Sequence, residues 1–271
     1  MRPLLLSIVL SLLVPDARAT QNAMDIFVSI APQKYLVQRI GGERVNVTVM
    51  LKSGQSPETY DPLPRQIAGL AGARIYFLIG VPFEKKWRNK FRQQNKSMRM
   101  VDTSRQCRIL DHDPHVWTSP MNAVLLAREI RAALVAVDPA SARFYDANFH
   151  RLVADLEQLD GEIMVRLKHR RTNYFIVSHD AWAYYAERYG LRQIPLESRG
   201  REKGPRGIAG IVEQARREKI HTLFVQQQHP ESSAYTLATE LGAQVMIIDP
   251  LAGDYIDNLR HVTASIAEAI Q

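Results

Sequence analysis

The sequence predicts an α/β protein of two lobes with mostly parallel sheets, joined by one long rigid helix. Three observations predict it. Apolar runs of strand length alternate with stretches of helical period, and that alternation occurs twice. Between the two series lies a single long amphipathic repeat. The chain's 271 residues suffice for one large domain or two modest ones with a real core.

The first nineteen residues read as an export signal. "MRPLLLSIVLSLLVPDARA" has a basic start at Arg2, an apolar run from Leu4 to Val14, and small residues at Ala17 and Ala19. The run is too short to span a bilayer, and no cysteine follows it for lipid attachment. A cleaved signal peptide at 1–19 and a periplasmic location are therefore expected.

The first lobe is expected over 24–138. "DIFVSIAP" reads as a strand and "QKYLVQRIGG" as a helix closed by glycine. The strands "VNVTVML" and "RIYFLIG" flank the helical "RQIAGLAGA"; "SMRMVD" is a fourth strand and "PMNAVLLAREIRAALVAV" a strong helix. The second lobe, 171–271, repeats the order. It runs through "NYFIVSH", "RQIPLE", the helix "GIAGIVEQARREK", "HTLFVQ", the helix "SSAYTLATELG", "QVMIID" and a final helix from Tyr255. Between the lobes, Asp138 and Pro139 have the form of an N-cap and first helical residue. Tyr145, Phe149, Leu152, Leu156, Leu159, Ile163 and Leu167 then recur every three or four positions. A helix over 139–169 would be roughly 45 Å long, enough to run along both lobes and restrict them to small movements.

Charge and cysteine content narrow the function. The chain has 35 Lys+Arg against 28 Asp+Glu. Without Arg2, Arg18 and Asp16 the balance is 33 to 27. The basic residues are scattered, and an exported protein does not meet nucleic acid, so nucleic acid is not an expected partner. The single cysteine, Cys107, permits neither an internal disulfide nor a thiolate-rich metal site.

Four side chains follow predicted strands, where open α/β sheets present their ligands. Glu58 lies in "SGQSPETYDP" after "VNVTVML", and His115 in "DHDPHVWTSP" after "SMRMVD"; His179 ends "YFIVSH" and Asp249 ends "VMIID". Two come from each lobe. Two imidazoles and two carboxylates across a cleft suit a divalent transition metal. Each alone has a plainer reading: a hydrogen-bonded core histidine, a cap, or, for Glu58, a solvated turn acid.

The segments "VSIAPQKYLVQRIGG", "GQSPETYDPLPRQ", "DPHVW", "SHDAWAYYAERYGL" and "IDPLAGDYIDNLR" together cover nearly the whole mature chain. They resemble the zinc- and manganese-type substrate-binding proteins of bacterial ABC transporters, a group that includes metal-binding adhesins. In that family the loop after the second strand reads P-H-x-Y/F-E-P. Here the frame is Pro57-Glu58-Thr59-Tyr60-Asp61-Pro62, so the resemblance puts Glu58 where the family has its first ligand, a histidine. His115, His179 and Asp249 match the second, third and fourth. The histidine-rich loop that many zinc-type members carry before "DPHVW" is missing, and only His112 remains.

The resemblance implies a periplasmic receptor that traps a divalent cation and hands it to an inner-membrane ABC permease. It is expected to be a monomer and not an enzyme. Zinc is the expected cargo, with manganese or iron behind it. A metallohydrolase is disfavoured by four full ligands and the lack of an H-E-x-x-H motif, and a chelate-binding protein by the ligand cluster itself. His112 and His229 are marginal candidates. Asp180 is a candidate to orient the His179 imidazole, while Tyr60, Trp117 and Trp182 are expected to wall the site.

Overall fold

The structure is a computed structural model that describes residues 23–198, 201–226, 228 and 232–271. The expected signal at 1–19 and His229 lie outside the described residues. The first lobe runs β1 (Met24–Val28), α1 (Ala31–Gly41), β2 (Val45–Val49), α2 (Pro64–Gly69), β3 (Ile75–Leu78), α3 (Pro82–Gln94), β4 (Arg99–Asp102) and α4 (Pro120–Val137). Helix α5 (Ala142–Arg166) leads to the second lobe. There β5 (Tyr174–Val177), α6 (Ala183–Tyr189), β6 (Arg192–Pro195), β7 (Glu197–Ser198), β8 (Arg201–Glu202) and α7 (Pro205–Glu218) come first. β9 (Thr222–Val225), α8 (Ser232–Leu241), β10 (Gln244–Ile247) and α9 (Tyr255–Ile270) complete it.

Both main sheets are wholly parallel, in the orders β2-β1-β3-β4 and β10-β9-β5-β6. β5 and β3, inner strands, are apolar along their length, as strands covered on both faces must be. Among the described residues the antiparallel pairing is confined to two residues each of β7 and β8.

Helix α4 begins at the expected residue because Pro120 sits in its first turn and the Ser119 hydroxyl accepts the Asn122 N–H at 3.5 Å. The linking segment differs from expectation at both ends. Pro139–Ser141 forms a 3₁₀ turn before α5, and the helix closes at Arg166 rather than near His169. Asp138 is not a side-chain cap for α5. Its backbone closes α4, and its carboxylate accepts the Tyr145 hydroxyl at 2.8 Å.

The buried stripe of α5, including Tyr145, Leu152, Leu156, Leu159 and Ile163, packs on α1 and α4 of the first lobe and on α9 of the second. One hydrophobic core therefore runs through both lobes. A smaller core, with Ile176, Ile194, Ile211, Val212, Leu223 and Leu237, lies under α7 and α8.

Helix α3 was not expected. Its thirteen residues carry one narrow apolar stripe, Phe83, Trp87 and Phe91, at i, i+4 and i+8. Pro82 in the first turn and burial of Phe83 and Phe91 against the lobe stabilise a helix that a charged surface hides in the sequence.

Candidate metal site

The two main sheets point the carboxyl ends of their strands into a cavity of about 490 Å³. Glu58, Asp113, His115, His179 and Asp180 line it, with Pro82 and Pro195 at its walls. Donor atoms of Glu58, His115 and His179 lie within 4.8 Å of one another. The predicted set thus converges in three members.

Each of the three is held differently. Beyond β2 the chain turns through 53–62, anchored by the Tyr60 hydroxyl on the Met50 carbonyl at 2.6 Å. The Ser56 hydroxyl donates to the Glu58 carboxylate, which fixes a half-buried acid at the loop tip. Glu58 Oε1 is 3.7 Å from His179 Nε2.

His115 is buried, and one oxygen of Asp113 accepts both its backbone N–H (2.9 Å) and its ring Nδ1–H (2.6 Å). A carboxylate acceptor makes Nδ1 the donor and leaves Nε2 with a free lone pair for a metal. The loop bearing His115 is clamped to the second lobe. The Trp117 indole donates to the Pro250 carbonyl (2.7 Å), and the Tyr255 hydroxyl to the Trp117 carbonyl (2.6 Å). The Tyr184 hydroxyl donates to the Asp113 carbonyl (2.7 Å). The His115 and His179 rings meet edge to face at 5.3 Å.

His179 follows β5 by two residues and is buried. Its Nδ1 faces the buried Glu197 of β7 at 3.5 Å, an ion-pair distance longer than a well-formed hydrogen bond. Burial alone would lower its pKa, but the contact with Glu197 and the nearby Glu58 and Asp180 carboxylates outweigh burial and raise it.

Two expected residues are placed apart from the cluster's donors. Asp249 stands outside the three-residue cluster, and its Oδ1 accepts the Leu251 N–H (2.8 Å) and the Gln228 amide (2.9 Å). It lines a separate cavity of about 90 Å³ beside Leu51 and Gly253. Asp180 does not orient the outer nitrogen of His179. It lies 3.8 Å from Nε2, on the side of the donors, while Glu197 takes the outer position. Sequence reasoning passed over Asp113 and Glu197. The signal for Asp113 was present, since it is the first residue of "DPHVW". Glu197 lies eighteen positions after His179, and only sheet pairing brings them together. Of the expected walls, Trp117 packs 5.1 Å from the His115 ring, whereas Tyr60 and Trp182 are buried and do not line the cavity. His112 does line it.

The model of the family described as "Zinc-uptake complex component A periplasmic" (ZnuA) matches residues 26–269. The fold matches a crystal structure of a ZnuA deletion mutant with zinc bound at TM-score 0.89 and 36% identity, covering 92% of this chain and 98% of that one. The iron-binding protein YfeA of Yersinia pestis is 27% identical over 235 residues, 81% of this chain and 75% of that protein. The manganese-binding lipoprotein MntA of Halalkalibacterium halodurans is 25% identical over 247 residues, 83% of this chain and 81% of that protein.

Proposed function

We propose that this chain, which belongs to the family of the periplasmic zinc-uptake complex component A, captures a zinc ion with Glu58, His115 and His179. It is a metal-binding solute receptor of that type, and the family works with an ABC permease. The observation that supports the ligand assignment is the meeting of one carboxylate and two imidazoles from three strand-end loops in one cavity.

In a tetrahedral zinc site with bonds of 2.0–2.2 Å, donors are about 3.4 Å apart. The 3.7 Å between Glu58 Oε1 and His179 Nε2 is already close to that. Two imidazoles favour zinc over manganese or ferrous iron in the Irving–Williams order, and the Asp113 and Glu197 carboxylates behind them raise ligand basicity. Capture replaces the ion's water with preplaced donors in a site of low dielectric, and no bond of a substrate is made or broken. Because the His115 loop is fastened to the second lobe, release requires a permease to prise the lobes apart or to draw away the Glu58 loop.

With three clustered donors instead of four, ligand count no longer argues against hydrolytic chemistry. Family membership does. A competition titration decides the cargo. Zinc held at one ion per chain against equimolar manganese and iron, without ester or amide turnover, is the expected result; manganese displacing zinc overturns the zinc assignment.

A further inference from the structure

Helix α3 carries five exposed cations, Lys85, Lys86, Arg88, Lys90 and Arg92, and no exposed acid. Its one carboxylate, Glu84, is buried and turned inward to accept the Ile79 and Gly80 N–H groups at 2.9 and 2.8 Å. Lys85, Arg88 and Arg92 stand at i, i+3 and i+7 and share one face. Lys86 and Lys90 flank the ring of Trp87, 5.8 and 5.3 Å from its centre. Lys86 is paired with Asp61 at 2.7 Å; the other four enter no ion pair among the described residues. By contrast, Arg206, Arg216 and Arg217 on α7 are interleaved with Glu213 and Glu218.

We infer that the outward face of α3 docks on a bilayer surface bearing anionic phospholipid headgroups. Among the described residues the exposed large apolar side chains are Leu63, Ile109, Met164, Val165, Tyr235 and Ile247, and none is on α3. The only large apolar side chain that the face leaves partly open is Trp87, and Lys86 and Lys90 flank its ring. What it offers is unneutralised charge spread over roughly half the helix circumference, which a fluid anionic plane satisfies without fixed partners. Pro82, the first residue of α3, lines the metal cavity. Docking through this helix brings the cavity's rim close to the membrane in which a permease sits. The inference does not depend on which ion the cavity holds.

Cosedimentation of the mature protein with vesicles of phosphatidylcholine, with and without one-third phosphatidylglycerol, tests it. Each basic side chain at an anionic leaflet contributes about fivefold in partitioning. Wild type is expected to bind the anionic vesicles at least tenfold better, and to lose this at about 1 M salt, where the Debye length is ~3 Å. Lys85→Glu/Arg88→Glu/Arg92→Glu should lose at least tenfold. Arg206→Glu/Arg216→Glu/Arg217→Glu, which changes net charge equally, should lose less than twofold. Unchanged circular dichroism and zinc binding certify both folds. Equal losses in the two variants, or no preference of wild type for anionic vesicles, overturn the inference. So does salt-sensitive binding to a permease in neutral-lipid discs that the α3 variant abolishes without any lipid dependence, which would assign the face to an acidic protein.

Discussion

Two loops at the carboxyl ends of strands, 53–62 after β2 and 248–254 after β10, each present one carboxylate towards the space between the lobes, and their fates differ. Glu58 is braced by the Ser56 hydroxyl and meets His179 at 3.7 Å. Asp249 is bound to its own loop through Leu251 and to Gln228. A strand-end position makes a side chain eligible as a ligand; the bonds it already makes decide where it is held. The two hydrogen bonds of Asp249, each contributing about 1.5–3 kcal/mol when the acceptor is charged, both fall on Oδ1 and hold the carboxylate against its own loop and Gln228.

The comparison can be broken by substitution. The largest effect is expected from His179→Ala or His115→Ala. Each should weaken zinc binding by at least about a hundredfold, a single ligand's share of the ~10–16 kcal/mol typical of structural zinc sites. Competition with a chromophoric chelator reads it. Glu58→Gln keeps the shape and removes the charge, and the same assay should show a loss of about ten- to a hundredfold. Next comes Glu197→Gln, which leaves every donor in place but weakens the support behind His179; about tenfold is expected. Asp249→Asn should cost less than about threefold, because its oxygen still accepts the Leu251 N–H. If Asp249→Asn cost more than Glu58→Gln, the roles of the two loops would be reversed.

The smallest expected effect concerns protons. The raised pKa of His179 means that its imidazolium form stabilises the metal-free fold. That contribution is fully present below the unfolded value of about 6.5 and disappears as pH rises through the higher folded value. In chelator, the melting-temperature advantage of wild type over His179→Gln should therefore be largest near pH 6 and shrink towards pH 8. Zinc binding runs the other way and weakens as pH falls, since the ion needs both imidazoles neutral. An advantage that grows with pH would mean the surrounding carboxylates do not control His179.

Much of this was legible in the sequence, for identifiable reasons. The inner strands of both sheets and helix α4 carry patterns that match their burial, and α4 has a proline and a serine cap at its start. The cluster of Glu58, His115 and His179 followed from strand-end placement and from the family resemblance. What was not legible depends on side chains meeting across space. Glu197 reaches His179 only because β6 pairs with β5. The withdrawal of Asp249 depends on Gln228, twenty-one residues earlier. Helix α3 was hidden because its stability comes from three aromatic residues packed on the lobe, while its surface reads as a charge run.

The most direct test is the position of a bound ion. A crystal structure of the zinc-loaded protein, with anomalous data across the zinc edge, should place one ion bonded to Glu58 and to the Nε2 atoms of His115 and His179, with Asp249 still accepting the Leu251 N–H. An ion bonded to both histidines and Asp249, with Glu58 turned to solvent, would contradict it.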